Sequence, residues 1–324
     1  MKQNDCIVVT GAGGLVGSAV VEHLRSLKYT CVVGLTHADC DLMNHDETRE
    51  VFDRIRPAHV FHAAARVYGI GGNMANQAKS FVENTRINTS VVDAAYRADV
   101  KKITVMGTNA VYSSEAPLPH REIDIFFGRP HQSESGYGHA KRGMLAMLEA
   151  YEENYGTAWA YLVSGNLYGP RDRFDPVTGH VIPTMMWKFY EASVDRTATV
   201  DLWGDGSPRR DFLYVRDLAR AAHATMSSDA IGSINVGSGI MHRIAHVADI
   251  MCGITGVSRE RVRWDRDMPS GRQECCADLK RLRDHLGFIP QYSLEDGLHM
   301  TWTWYKASRE TKKEEGLSWD TGVR

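Results

Sequence analysis

The chain has 324 residues, of which 43% are hydrophobic and 24% charged, and its net charge is −2. These values are typical of a soluble globular protein with one large domain or two that share an interface. The small net charge and the scattered lysines and arginines argue against nucleic acid or an anionic membrane as a partner. The six cysteines have no CxxC spacing, and no apolar run reaches the length of about 18 residues that a membrane span needs. We therefore expect reduced thiols, no metal, no membrane segment or signal peptide, and a cytoplasmic location.

The first predicted element is a short strand over residues 6–10, because this stretch is rich in β-branched side chains. Glycines at GxxGxxG spacing follow it at once, and an apolar-periodic helix begins directly after them. In a turn between a strand and a helix, small residues let the backbone approach a pyrophosphate at the positive end of the helix. This context predicts a dinucleotide site whose contacting residues are Gly11, Gly14, Leu15, Val16 and Gly17.

Strands and helices then alternate along the N-terminal half, which predicts an α/β fold with a Rossmann-type, doubly wound parallel sheet. The next predicted strands cover residues 30–35, 59–65 and 101–106, with a long helix over 81–98. Asp41 and Leu42 open the crossover after the second strand and are candidates for cofactor contact. The third strand ends in small residues that would let a cofactor lie flat across the sheet, namely Ala63, Ala64 and Ala65.

Tyr137 and Lys141 begin an apolar-periodic stretch that predicts a helix over about 137–155. Their spacing places both side chains on one face of that helix. A nearby ammonium favours the phenolate and lowers the pKa of a tyrosine, so the pair is a candidate for proton transfer. On spacing alone, a half-buried tyrosine beside a solvated lysine is the more ordinary interpretation. Thr108 offers a second hydroxyl just after the strand over 101–106, either for chemistry or as a turn cap.

After residue 170 the pattern becomes less regular. It predicts a helix over about 183–192, a strand over 199–202, a helix opening near 214, and short strands and helices over 241–305. We expect a smaller substrate lobe over the strand ends, with the substrate bound between the lobes. The predicted boundaries are 1–165 with a returning segment of about 210–238 for the Rossmann domain, and 166–209 with 239–324 for the substrate lobe. We expect the charged tail from Lys306 to be frayed.

Several further stretches carry a resemblance to a known family. They are AARVYGI at 64–70, SGYGHAK at 135–141, NLYGPRD at 166–172, HVIP at 180–183, WGDGSPRRDF at 203–212 and INVGSG at 234–239. With the glycine turn, Thr108 and the Tyr137/Lys141 pair in this order, the chain resembles the extended short-chain dehydrogenase/reductase family over about residues 5–305. Within it the chain is most similar to the GDP-L-fucose synthase branch, which epimerises and reduces GDP-4-keto-6-deoxy-mannose.

The resemblance implies a catalytic set of Thr108, Tyr137 and Lys141. Tyr137 would protonate the C4 oxygen of the sugar as the nicotinamide reduces C4. Lys141 would hold the nicotinamide ribose and lower the tyrosine pKa, and Thr108, which replaces a family serine, would donate to the same sugar oxygen.

The resemblance also implies residues that hold the nucleotide sugar, namely Asn109, Asn166, His180, Val181, Lys188, Trp203, Arg210 and Arg272. The guanidinium of Arg210 suits a diphosphate. Trp203 could equally be a core or rim aromatic.

The chain departs from the family where the epimerase chemistry resides. The family moves protons at C3 and C5 with a cysteine and a histidine; His180 matches the histidine, but Ala110 stands at the position of the cysteine. Because a methyl group can move no proton, we expect reduction at C4 without epimerisation, with His180 as a sugar contact or a structural residue. Cys275 replaces a family lysine and Arg272 is new nearby, so the sugar or nucleotide is expected to be held differently.

The choice of cofactor is open from the residues. Gly13 and His37 replace basic residues that surround the 2′-phosphate of NADPH in the family, yet no carboxylate ends the second strand to hold the free hydroxyl of NAD. We expect NADP(H) by resemblance, with NAD possible and His37 as a candidate contact.

The resemblance therefore implies a C4-reductase of a GDP-linked 4-keto-6-deoxy hexose or heptose in the synthesis of surface polysaccharide. The alternatives are a bifunctional 3,5-epimerase/4-reductase and a sugar 4-epimerase with tightly bound NAD. Asn109 and Ala110 in place of an Asp-Glu pair argue against a dehydratase, and the intact catalytic set argues against a regulator without chemistry. Apolar faces over 81–98 and 137–155 resemble the four-helix seam of the family, which predicts a homodimer.

Overall fold

The computed structural model describes residues 1–176, 178–268 and 273–314. Its strands, in chain order, are β1 (Cys6–Thr10), β2 (Cys31–Leu35), β3 (His59–His62), β4 (Lys102–Met106), β5 (Trp159–Ser164), β6 (Asn166–Tyr168), β7 (Val200–Trp203), β8 (Arg209–Tyr214), β9 (Gly232–Val236), β10 (Met241–Arg243) and β11 (Val262–Asp265). Its helices are α1 (Leu15–Ser26), α2 (His45–Ile55), α3 (Gly69–Ala75), α4 (Gln77–Arg97), α5 (Ser135–Tyr155), α6 (Val181–Val194), α7 (Val215–Ser227), α8 (Ile244–Thr255), α9 (Lys280–Leu286) and α10 (Leu294–Glu314).

The central feature is a six-stranded parallel sheet in the order β2-β1-β3-β4-β5-β9. From β1 the chain runs to β2 on one side and to β3 on the other, so the strand order reverses beside β1. Folds of this type bind ligands at that reversal, beyond the carboxyl ends of the strands. The Rossmann-type sheet predicted from the alternating pattern is confirmed.

Helices cover both faces of this sheet, and the sequence of β1 places apolar residues on both faces. Ile7 and Val9 join the core under α1 and α7, whereas Val8 joins the core under α2, α4 and α5. Successive strand residues point to opposite faces, so a strand covered on both sides needs a continuous apolar run. The β-branched stretch predicted as a buried strand meets that need.

Two smaller sheets lie in the C-terminal half. One has the order β10-β8-β6, with β6 starting just after β5 ends, and the other is the parallel pair β11-β7. Helix α6 packs against β7 and α8, and α8 packs against α10. The predicted returning segment supplies β8 to the three-stranded sheet and β9 to the main sheet, and the predicted domain boundaries remain a prediction.

Most predicted boundaries lie within two residues of those in the structure, and three differ by more. Strand β3 ends at His62, so the alanines after it form a loop, and α4 begins at Gln77, earlier than predicted. The tail from Lys306 is helical as far as Glu314. Arg309 holds this part of α10, because its guanidinium lies 2.9 Å from the carboxylate of Glu191 and stacks over a tyrosine ring of α6. Within the part of the chain that the structure describes, no helix is both long and apolar enough to cross a membrane.

Candidate active site

The glycine turn between β1 and α1 is packed so tightly that two of its residues must lack a side chain. Gly11 has a φ of 68°, and a Cβ on it would lie 2.9 Å from the backbone of Ala64. A Cβ on Gly17 would lie 2.2 Å from the carbonyl oxygen of Gly11. These two glycines therefore hold the first turn of α1 directly against the strand end.

Gly14 has a different role, because internal packing does not exclude a side chain there. Its Cβ would lie 3.5 Å from the carbonyl oxygen of Gly11, which is an ordinary contact. Gly14 is the exposed N-cap of α1, followed by half-buried Leu15 and Val16; among the described residues no side chain caps this helix end, and its first turn holds no carboxylate. The N–H groups and positive dipole of this end fit a pyrophosphate, which also needs a close backbone approach.

The segment after β2 is where the adenosine end of a dinucleotide is expected. His37 is exposed in the turn that follows this strand. In the same turn the Oδ2 of Asp39 accepts hydrogen bonds from the backbone N–H and the hydroxyl of Thr36 at 2.8 and 2.6 Å, so this one carboxylate oxygen is engaged within the turn. Asp41 is half-buried at the crossover, and Leu42 is a core residue with 8% exposure.

The three alanines after β3 adjoin the glycine turn. Ala63, Ala64 and Ala65 are half-buried, and the backbone of Ala64 packs against Gly11. The N–H of Ala64 also donates to the hydroxyl of Thr10 at 3.3 Å. The two stretches predicted to bind the cofactor therefore meet beside the reversal of strand order.

Tyr137 and Lys141 lie at the start of α5 and are both buried, with exposures of 9% and 1%. The Nζ of Lys141 donates to the carbonyl oxygen of Met106 at 2.8 Å, which fastens α5 to the end of β4. The same Nζ lies 5.9 Å from the centre of the Tyr137 ring. The two side chains therefore share a helical face, as their spacing predicts.

The electrostatics of this pair differ from the expectation. Burial raises the pKa of Tyr137 above its ordinary value, and the carboxylate of Glu134 raises it further. Burial lowers the pKa of Lys141 to about 7. The prediction that Lys141 lowers the tyrosine pKa is wrong for this structure, because desolvation disfavours the charged form of both groups. Tyr137 is held as a neutral phenol, which is the form that can donate a proton.

Thr108 begins the turn that follows β4. Its Oγ1 accepts a hydrogen bond from the N–H of Ala110 at 3.2 Å, so the hydroxyl caps a 3-10 turn over residues 109–111. A hydroxyl has one proton and two lone pairs, so this cap leaves the proton available for a second partner. A Cβ on Gly138 would lie 2.5 Å from the carbonyl oxygen of Ala110, so the turn of Thr108 packs directly against the helical turn of Tyr137.

Asn109 and Asn166 line one small cavity of about 20 Å³. The Nδ2 of Asn109 lies 3.5 Å from the Sγ of Cys275, and the Nδ2 of Asn166 donates to the carbonyl oxygen of Asp211 at 3.3 Å. The structure thus brings together two of the predicted sugar contacts, and it places Cys275, the substitute for the family lysine, beside one of them.

His180 and Val181 lie at the N-terminal end of α6, and both are exposed. The Nδ1 of His180 lies 3.8 Å from the Oδ1 of Asp172. Although the imidazole keeps contact with solvent, its partial desolvation by surrounding protein atoms acts to lower the pKa of His180, but Asp172 and then Glu134 outweigh this effect and raise that pKa. Because Glu134 also raises the pKa of Tyr137, both groups share this carboxylate as a neighbour at the start of α5.

Lys188 contacts β7, and Trp203 lies on that strand. The Nζ of Lys188 donates to the carbonyl oxygen of Asp201 at 2.6 Å, and burial lowers the pKa of this ammonium. Trp203 ends the same strand with 54% exposure, which excludes the core interpretation of this residue.

Arg210 lies on β8, where its guanidinium donates to the carbonyl oxygens of Arg209 and Gln273 at 2.8 and 3.4 Å. Arg209 instead lines an open cleft of about 540 Å³ and lies 3.4 Å from Glu274. The stretch from Gln273 to Cys275 therefore contacts both the Arg210 strand and Asn109. Arg272 lies outside the described residues.

Some residues that hold this site together were not singled out from the sequence. Arg142 is buried on α5 and its Nε donates to the carbonyl oxygen of Val111 at 2.8 Å, which ties the helix to the Thr108 turn. The hydroxyl of Tyr161 donates to the carbonyl oxygen of Lys141 at 3.2 Å. Arg142 could have been identified from the sequence, because it is a charged residue on the apolar side of α5. Tyr161 lies in a buried strand, and nothing in the sequence pattern distinguishes it from other core residues.

Known proteins share both the sequence and the fold. Residues 7–237 match the NAD dependent epimerase/dehydratase family. The chain is 36% identical over 301 residues to a probable GDP-L-fucose synthase 1 of Oryza sativa subsp. japonica, covering 92% of this chain and 91% of that protein. A solved GDP-mannoheptose C4 reductase from Campylobacter jejuni with NADP bound is 30% identical, with a TM-score of 0.84 and coverage of 94% and 99%. A GDP-6-OMe-4-keto-L-xylo-heptose reductase from C. jejuni is 28% identical, with a TM-score of 0.88 and coverage of 95% and 99%.

The match covers the glycine turn, the Thr108 turn and the start of α5, and it ends within the last of the segments on which the predicted resemblance was based. That prediction is confirmed. The chain belongs to the NAD dependent epimerase/dehydratase family, that is, to the extended short-chain dehydrogenase/reductases.

Proposed function

We propose that this protein is an NADP(H)-dependent C4-reductase of a GDP-linked 4-keto-6-deoxy sugar, without epimerase activity at C3 or C5. As a member of its family the chain is an NAD(P)-dependent oxidoreductase. One observation carries the finer proposal. The Tyr137 turn of α5 packs directly against the Thr108 turn, while the residue in that turn at the family's cysteine position is Ala110, which is 2% exposed.

The reduction can be assigned to these residues. When bound, the reduced nicotinamide supplies a hydride to C4. Tyr137 gives its phenolic proton to the C4 oxygen, and burial keeps that proton on the phenol until the oxygen becomes basic enough to take it. The hydroxyl of Thr108 donates to the same oxygen and stabilises the developing negative charge. Lys141, held by the Met106 carbonyl, orients the nicotinamide ribose.

Epimerisation needs a base on one face of the sugar and an acid on the other. His180 is present and held near Asp172, so one proton-transfer group remains. Ala110 offers only a methyl group at the second position. Inversion at C3 or C5 therefore lacks one of its two proton-transfer groups, whereas reduction at C4 needs neither group.

NADP(H) is the cofactor that this site fits. The uncapped end of α1 and the exposed Gly14 suit the pyrophosphate, and β2 ends at Leu35 without a carboxylate. An NAD site normally uses such a carboxylate to hold the ribose hydroxyl. A solved relative also carries NADP.

The substrate class is proposed from the relatives and from the polar lining of the candidate site. The relatives are named for GDP-linked hexose and heptose chemistry. Arg210 and Trp203 could hold a diphosphate and a base, respectively. We place the reaction in nucleotide-sugar synthesis for surface polysaccharide, in the cytoplasm.

We also propose a homodimer through α4 and α5. Large apolar side chains remain exposed on these helices, namely Phe81 at 43%, Val82 at 46%, Tyr96 at 37% and Tyr155 at 57%. Helices of this kind bury such residues in a self-complementary interface.

The test is NADPH oxidation in heavy water with GDP-4-keto-6-deoxy-mannose and with a GDP-linked 4-keto heptose. The proposal predicts loss of the nicotinamide absorbance with at least one substrate, and a product without deuterium at C3 or C5. No oxidation with any such substrate would overturn the reductase assignment. Deuterium at C3 or C5 with inverted configuration would instead support a bifunctional enzyme, and turnover without added reductant would support a 4-epimerase with bound NAD.

A further inference from the structure

His62 is a fully buried histidine that the proposed reaction does not use. It ends β3, and its exposure is 0%. Its Nδ1 lies 2.8 Å from the hydroxyl oxygen of Thr10, and its Nε2 lies 3.2 Å from the Oδ1 of Asn88 on α4. Thr10 and Asn88 are themselves buried, at 0% and 2% exposure. Both ring nitrogens are therefore engaged inside the protein.

The hydrogen bonds around His62 specify where its proton lies. The Nδ2 of Asn88 donates to the carbonyl oxygen of Ala140 at 3.3 Å, and a carbonyl can only accept, so Asn88 must turn its oxygen towards His62. That oxygen must receive the proton of Nε2. The Nδ1 is then an acceptor for the hydroxyl of Thr10, whose oxygen in turn accepts from the N–H of Ala64 at 3.3 Å.

His62 is neutral in this arrangement, since its Nδ1 accepts the proton of the Thr10 hydroxyl while its Nε2 donates to Asn88. Burial lowers the pKa of His62 to about 3, and the nearby charge of Lys141 lowers it in the same direction. The His62 imidazole therefore acts as one donor and one acceptor near neutral pH.

The chain of hydrogen bonds joins the two halves of the candidate site. At one end, the N–H of Ala64 belongs to the loop that packs against Gly11. At the other end, the carbonyl oxygen of Ala140 belongs to α5, directly before Lys141. His62 and Asn88 are therefore the polar bridge between the edge that fits the cofactor and the helix that carries the proton donor.

We propose that His62, protonated on Nε2, is a positioning residue that holds the start of α5 at its distance from the cofactor edge through Asn88. This inference rests on the proposed function, because the distance matters for reduction only if α5 carries the proton donor. A displacement of about 1 Å of a reacting group can reduce a rate by about 10²-fold. Loss of the bridge should therefore reduce kcat more than it affects the binding of either ligand.

The experiment compares three variants with wild-type protein. His62→Leu removes both ring nitrogens, and we expect kcat to fall by about 10²-fold with KM values for NADPH and sugar changed by less than about threefold. His62→Gln keeps a donor at the position of Nε2 and should recover kcat to within about threefold of wild type. Asn88→Leu removes both the acceptor for His62 and the donor to Ala140, so it should lose kcat as His62→Leu does.

His59 provides the matched control, because it is a second buried histidine on the same strand but at the opposite end of the sheet. Its exposure is 6%, and its Nε2 lies 3.3 Å from Asp5. His59→Leu should lower the melting temperature and leave kcat within about twofold of wild type when assayed well below that temperature. A general effect of removing a buried histidine would instead lower kcat in both variants.

Two further measurements keep the proposal open to refutation. If both residues act through one chain of hydrogen bonds, the double variant His62→Leu/Asn88→Leu should lose no more kcat than the worse of the two single leucine variants. Independent losses would multiply, and that result would overturn the proposal.

Nitrogen NMR of the wild-type imidazole should show the proton on Nε2 between about pH 5 and 9, and a proton on Nδ1 would overturn the proposed bridge. Failure of the wild type to reduce any GDP-linked 4-keto sugar would refute the proposed function, while the NMR result would still decide the state of His62.

Discussion

The ammonium nitrogen of Lys141 donates a hydrogen bond to the carbonyl oxygen of Met106 at 2.8 Å, which ties the proposed catalytic helix to the end of β4. The side chain is 1% exposed, so this charge is held almost without water. Burial lowers its pKa to about 7. Lys141 is therefore positioned by the sheet and is charged only at a cost in stability, which has a measurable consequence.

Lys141 should make the stability of the protein depend on pH. Its pKa falls from an ordinary value of about 10.4 in the unfolded chain to about 7 in the folded one, so the unfolded state binds more protons between these limits. We compare the free energies of unfolding of wild type and Lys141→Met. The wild-type value minus the variant value should rise with pH across this window, by at most about 1.4 kcal/mol per pH unit. Urea denaturation of both proteins measures this difference, and a flat or falling difference would contradict the assigned burial effect.

Tyr137→Phe should leave the site formed but unable to donate a proton. The phenol is buried and neutral, so its removal costs little binding energy but removes the acid from the transition state. We expect turnover to fall by at least about 10²-fold with KM values nearly unchanged. Tyr29→Phe is a suitable control, since Tyr29 lies in the loop between α1 and β2 and its hydroxyl contacts His223 of α7 at 3.0 Å. Equal activity of the two variants would remove Tyr137 from the mechanism.

Alanine substitutions at two glycines of the first turn should have different effects, one on the stability of the fold and the other on cofactor binding. Gly17→Ala places a Cβ 2.2 Å from a backbone oxygen, so it should destabilise the fold by at least about 2 kcal/mol. Gly14→Ala meets no such clash and has a φ of −88°, so its stability should change by less than about 1 kcal/mol. Its added methyl faces the proposed pyrophosphate and should weaken NADPH binding by about tenfold. Melting curves and fluorescence titration with NADPH measure the two effects, and unchanged affinity in Gly14→Ala would place the dinucleotide elsewhere.

The periodic parts of the sequence predicted the fold well because they depend on local patterns. The β-branched run of β1 and the glycines after it identify a strand, a turn and a helix without knowledge of distant residues. The end of α10 could not be predicted in this way. Its polar residues suggest a frayed tail, but Arg309 meets Glu191, which is more than a hundred residues away in the sequence.

The candidate site shows the same limit. Spacing alone placed Tyr137 and Lys141 on one helical face, and the structure agrees. The direction of the Tyr137 pKa could not be read from spacing, because it depends on how many atoms of other elements surround the phenol. The neighbours of His62 likewise come from β1 and α4, so nothing in the sequence around it marks a bridge.

His180 should titrate differently when Asp172 is neutralised. Burial lowers the His180 pKa, while Asp172 and Glu134 together raise it above the ordinary value. Asp172→Asn removes the larger of the two charge effects, so the His180 pKa should fall in that variant. Proton NMR of the imidazole measures this shift, with Asp249→Asn as a control because Asp249 pairs with Arg259 on another surface. An unchanged pKa would show that His180 and Asp172 do not interact in solution.

Ala110→Cys tests why this chain should reduce without epimerising. Ala110 lies in the Thr108 turn, packed against the turn of Tyr137, so a thiol there would stand where the family has its cysteine. In heavy water with a GDP-linked 4-keto sugar, we expect deuterium at C3 or C5 in this variant and none in wild type.

Ala110→Ser supplies a side chain of similar size whose hydroxyl is too weak an acid to exchange a carbon-bound proton, so it should behave as wild type does. If the cysteine variant reduces the sugar yet incorporates no deuterium, then the missing thiol is not what prevents epimerisation, and the placement of His180 relative to the sugar must differ from that in the family. If both variants lose C4 reduction while still binding NADPH, the space around Ala110 has no room for either side chain. The position of Ala110 would then be set by packing against α5 rather than by the loss of a catalytic group.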